Sequence, residues 1–122
     1  MWEVKIVDRN KKIIGLKWSG NVKKEEVAEA NQQLEKCINE LQADSFDLIV
    51  EMDNMMAFSK ETQQEIVEQQ KWVIGKGMKR AAVVVDKATT KMQLRRTSKE
   101  SNNANEHFFS SYEDALSFLQ NG

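Results

Sequence analysis

Two apolar segments, Phe46-Asp47-Leu48-Ile49-Val50-Glu51-Met52 and Arg80-Ala81-Ala82-Val83-Val84-Val85-Asp86, bracket a stretch of helical spacing, and this arrangement constrains the chain most. Their near-continuous apolar middles suit strands buried on both faces, the signature of a central parallel sheet. Parallel neighbours need a crossover, and residues 59–74 supply one. Ser59 stands where that helix begins, Ile66, Val67, Gln70, Val73 and Ile74 define its inward face, and Gly75-Lys76-Gly77 ends it. In such a βαβ unit the loops at the carboxyl ends of the strands are the usual binding place.

The flanking segments extend the pattern. Trp2, Val4 and Ile6 alternate with Glu3 and Lys5, and the alternation resumes at Ile14, Leu16 and Trp18, which predicts an antiparallel hairpin. Asn21 is a cap candidate for a helix over about 22–42, whose stripe is Val27, Asn31, Leu34, Ile38 and Leu41, with Ala30 and Cys37 beside it. A third, more polar helix is expected over about 88–100, a short strand at Glu106-His107-Phe108-Phe109, and a last helix opened by the capping box Ser110-Ser111-Tyr112-Glu113. Tyr112, Ala115, Leu116 and Leu119 would pack inward. The resulting order is ββαβαβαβα: one α/β domain over 1–122, a mixed sheet of about five strands flanked by four helices.

Composition narrows the function. With 40% hydrophobic residues a 122-residue chain can build its core without metal or disulfide staples. A net charge of -1 provides no overall field to hold nucleic acid or an anionic membrane. Apolar runs of about five residues fall far short of the roughly 20 needed for a membrane span. The charged N-terminal strand does not read as a signal peptide, and one cysteine, Cys37, cannot form an internal disulfide. A cytoplasmic location is expected.

The residues that could carry chemistry are few. Ser59 suits an N-cap, its hydroxyl accepting from Glu61 or Thr62 N–H; equally, a phosphate there would meet free amides, with Lys60 assisting. Met55, Met56 and Phe58 crowd the same loop as candidates for an adaptable binding surface, and Met52 reads as core filling. Lys87, Lys91, Arg95 and Lys99, spaced by four and widened by Arg96, form a basic ridge: a solvated face, or a dock for an acidic partner or a lipid headgroup. Trp72 falls about 200° from the stripe centre, so it either anchors a homodimer contact or lies under Lys or Gln stems. His107, the single histidine, has no further ligands at metal-binding spacing, Cys37 reads as a small buried hydrophobe, and Glu51 with Asp53 as solvated turn acids. No nucleophile–base pair, Gly-rich phosphate loop or nucleophile elbow can be assembled, so neither an enzyme nor a cofactor is expected.

Leu48-Ile49-Val50-Glu51-Met52 leading to Ser59, then Ala81-Ala82-Val83-Val84-Val85, and a close of Phe108-Phe109-Ser110-Ser111-Tyr112-Glu113-Asp114-Ala115-Leu116, resemble the STAS fold of bacterial anti-sigma-factor antagonists. The likeness is greatest to the small SpoIIAA-like proteins, whose architecture is shared with CRAL-TRIO-type lipid carriers. It implies a non-enzymatic regulator that docks a protein partner through residues 53–62 and the adjacent helices. The alternative it implies is a carrier of a small apolar ligand or lipid, in which the third helix moves aside. Antagonists of this kind carry an Asp-Ser-Ser-Gly-like turn with a phosphorylated serine; here the turn reads Ala57-Phe58-Ser59-Lys60-Glu61, without that aspartate and glycine.

Overall fold

A computed structural model describes residues 1–42, 44–53, 59–85 and 106–121. Five strands and three helices lie within them: β1 (Trp2–Asp8), β2 (Ile13–Ser19), α1 (Lys24–Leu41), β3 (Phe46–Asp53), α2 (Lys60–Gly75), β4 (Met78–Val84), β5 (Glu106–Phe109) and α3 (Tyr112–Asn121). The sheet runs in chain order, β1-β2-β3-β4-β5. β1 pairs antiparallel with β2, and the remaining pairs are parallel, with Leu48 opposite Ala81 and Val50 opposite Val83. The two apolar segments are thus parallel neighbours inside a mixed sheet, as their composition requires. The helix expected over 88–100, with its basic ridge, lies outside the described residues.

Period two decides which helix each strand residue meets. Leu16, Trp18, Leu48 and Val83 join Val27, Leu34, Ile38, Ile66 and Val73 in the larger core cluster, beneath α1 and α2. Ile13, Ile49 and Ala82 point to the other face, where Ala115 and Leu119 of α3 cover them. An ion pair holds that second layer. Arg80 meets Asp47, directly opposite on β3, at 2.8 Å, donates to the Leu119 carbonyl at 3.1 Å, and lies 5.3 Å from the Phe118 ring centroid.

Three expectations are corrected. Asn21 does not cap α1; Lys23 does, and its N–H is received by the Glu26 carboxylate at 2.9 Å. The chain first turns at Gly20 (φ +70) to press Val22 into the core, so the helix starts later than about 22. The inward face of α2 holds Ile66, Val67, Gln70 and Val73 as expected, with Thr62 and Gln69 added, but not Ile74. Ile74, a further 100° around the helix from Val73, emerges on its flank at 39% exposure. Finally, Ser111, not Ser110, receives the first-turn N–H of α3, from Asp114 at 3.2 Å.

Candidate functional site

The carboxyl ends of β2 and β3 converge on the N-termini of α1 and α2, and Ser59 is the exposed hydroxyl at this edge. Its backbone is extended (φ -67, ψ 162), as an N-cap requires, and its Oγ accepts the Thr62 N–H at 3.1 Å. The same Oγ donates to Thr62 Oγ1 at 3.0 Å, and Thr62 Oγ1 donates to the Val22 carbonyl at 3.0 Å. Thr62 is 1% exposed. A chain of two hydroxyls therefore runs from the surface to the buried turn before α1, across 40 residues of sequence. At the surface, Lys24 of α1 meets Glu61 of α2 at 3.7 Å. The helix starts are cross-braced inside and out.

This brace presents Ser59, Lys60 and Glu61 on a stiff mount. The first turn of α2 directs N–H groups and the positive helix end at the same surface. Both hydrogen-bond partners of Ser59 Oγ among the described residues are on Thr62, and neither of them is a base. Met55, Met56 and Phe58 lie outside the described residues, as do Lys87, Lys91, Arg95 and Lys99.

The other singled-out residues lie elsewhere. Trp72 is half-buried against the larger core cluster, with Lys76 Nζ 5.9 Å over its ring and 3.5 Å from Glu35 of α1. Cys37 is buried on α1, and burial, then the nearby Glu40 charge, pushes its thiol up. His107 is exposed on β5 and touches the Phe118 ring, 4.8 Å between centroids. No group of three His, Cys, Asp or Glu among the described residues could hold a metal, and no described helix is long and apolar enough to cross a membrane.

An apolar cavity does lie between α2 and the sheet, lined by Trp18, Leu48, Met52, Ile66, Met78 and Val83. At about 40 Å³ it is several-fold smaller than the roughly 300 Å³ lower bound of ligand pockets. The pocket that the lipid-carrier alternative calls for belongs beneath the helix expected over 88–100, outside the described residues.

Sequence reasoning found the cap at Ser59 through cap preference but missed the relay onward to Val22. Thr62 at the third helical position was the available signal, because a β-branched hydroxyl that is also buried must find a second partner. It likewise missed the bridge between Gln69 of α2 and Asn31 of α1, 2.7 Å, which explains why a glutamine sits on the inward face.

Comparison with known proteins bears on the whole chain. A family model described as SpoIIAA-like matches residues 13–120. No curated protein matches. Among solved structures, that of the anti-sigma factor antagonist SpoIIAA in its unphosphorylated form aligns with a TM-score of 0.70, covering 100% of this chain and 98% of that one at 9% identity. At that identity the likeness concerns the fold.

Proposed function

The chain belongs to the SpoIIAA-like family, and from that premise we propose that it is a non-enzymatic regulatory module of the cytoplasm that docks a protein partner. Docking centres on Ser59, Lys60 and Glu61, and extends over Met55, Met56 and Phe58 of the preceding loop and the exposed start of α1. One observation carries the reading: Ser59 is exposed, yet its hydroxyl is tied through Thr62 to the core, so this residue is braced before any partner arrives. Preorganisation of this kind lowers the entropic cost of association. The solved relative is an anti-sigma factor antagonist, described in its unphosphorylated form. For this chain the corresponding idea is a surface read with Ser59 unmodified. A phosphate there could still accept the Thr62 N–H but could not donate to Thr62 Oγ1, and it would add charge where the partner sits.

Site-specific photo-crosslinking in the native host tests this. A benzophenone side chain at position 60 should trap one defined protein, and Ser59→Asp should reduce that adduct. The same probe at Glu113, exposed on α3 across the sheet, should not trap it. Equal adducts from both positions, or none at position 60, would overturn the assignment.

A further inference from the structure

β1 ends the sheet, and among the described residues nothing pairs with its outer side. Which backbone groups face outward follows from the hairpin. Ser19 N–H donates to the Met1 carbonyl and the Met1 amino group to the Ser19 carbonyl, both at 2.9 Å. Bonded and non-bonded pairs alternate along an antiparallel ladder. The register is regular from Trp2 opposite Trp18 to Ile6 opposite Ile14, with the bulge only beyond Ile6. Glu3 and Lys5 therefore spend their backbone groups on β2, and Trp2, Val4 and Ile6 present theirs outward.

We propose that a second copy of this chain pairs with this edge, β1 against β1, antiparallel, about a two-fold axis at Val4. The charges select that register. Centred on Val4, the strands place Glu3 opposite the partner's Lys5 and Lys5 opposite the partner's Glu3. Both are non-bonded pairs, where side chains come closest. Trp2, Val4 and Ile6 then meet the partner's Ile6, Val4 and Trp2 as bonded pairs, which uses every outward backbone group of the three. A slip of one residue per strand centres the dimer on Glu3 or Lys5 and sets like charges face to face.

Two further features fit the same occupant. On the α3 side of the sheet, Glu3 stands opposite Lys17, and Lys17 opposite Glu51, a row of alternating sign across three strands. The partner's Lys5 continues that alternation beyond Glu3. On the other face, a groove of about 390 Å³ runs between β1 and α1, lined by Val4, Ile6, Cys37, Gln33, Lys36 and Glu40. A strand added beside β1 carries its apolar side chains on this face, and the groove receives them. Glu3 and Lys5 side chains are 61% and 68% exposed, so substituting them leaves the core untouched.

Sedimentation across a micromolar-to-millimolar series decides the matter. The native chain should dimerise, and Glu3→Lys or Lys5→Glu alone should weaken dimerisation at least about tenfold, each replacing two attractive pairs by two repulsive ones. Mixing the two single variants should produce a heterodimer, and the double variant should self-associate again. A native chain that stays monomeric throughout would overturn the proposal and reduce the edge charges to guards against aggregation. So would a dimer indifferent to both charge reversals.

Discussion

At the scale of single residues, the two hydroxyls of the relay are not equivalent. Ser59 is exposed, so Ser59→Ala loses a cap whose amide can turn to water; about 1 kcal/mol of stability should go. Ser59→Asp should retain most of it, because a carboxylate accepts the same N–H at the positive helix end. Thr62→Val keeps the shape but leaves the Val22 carbonyl buried without its donor, which costs about 1–3 kcal/mol. Urea denaturation should therefore rank Thr62→Val below Ser59→Ala, and the reverse order would show that the relay does not brace the helix start. The sequence made half of this legible. Cap preference marks Ser59, but the partner of Thr62 lies 40 residues upstream, and nothing local announces it.

At the scale of elements, the connections carry the information that periodicity lacks. Apolar spacing located every described strand and helix because burial alone sets it, whereas their ends depend on particular contacts. Met78 and Lys79 belong to β4, two residues earlier than the apolar run suggests, because Gly77 folds back onto the start of β3: Phe46 N–H donates to its carbonyl at 3.1 Å. Gly77 has φ +112, and a Cβ there would overlap the Asp44 carbonyl. Gly77→Ala should destabilise by about 2 kcal/mol or more, seen as a lower melting temperature, and an unchanged value would mean the turn adapts freely. The first hairpin is tied down differently. The Lys11 backbone N–H and then the Gln120 side chain donate to Asp8, both at 3.1 Å, and together hold its carboxyl below the usual range. A carboxyl lowered in the folded state stabilises the fold above its unfolded value of about 3.9, and that contribution vanishes as pH falls through the folded value. The native chain should thus exceed Asp8→Asn in stability at neutral pH, with the gap closing below about pH 4. A gap that widens on acidification would contradict the assignment.

At the scale of the whole molecule, the described residues form two unequal layers on either side of the sheet. The face under α1 and α2 holds the larger cluster, and α3 is held by Ala115, Leu119, the Arg80 bond to the Leu119 carbonyl and the Gln120 bond to Asp8. That asymmetry was hidden in the sequence, where the last helix shows as clear an apolar stripe as the first. The stripe reports that a face is covered, not how much lies beneath it. A layer with less burial should open before the rest, so amides of α3 should exchange at a lower free energy than those of α1 and β3. Two substitutions separate this local opening from global unfolding. Leu34 is fully buried beneath α1, and Leu34→Ala should lower the exchange free energy of α1 and β3 amides by about 2–5 kcal/mol. It should leave the α3 amides unmoved, because Leu34 stays packed when only α3 lifts away. Leu119 is pulled from its neighbours in both kinds of opening, so Leu119→Ala should lower both sets together. Exchange of α3 quickened by Leu34→Ala in step with the core would mean the two layers unfold only as one.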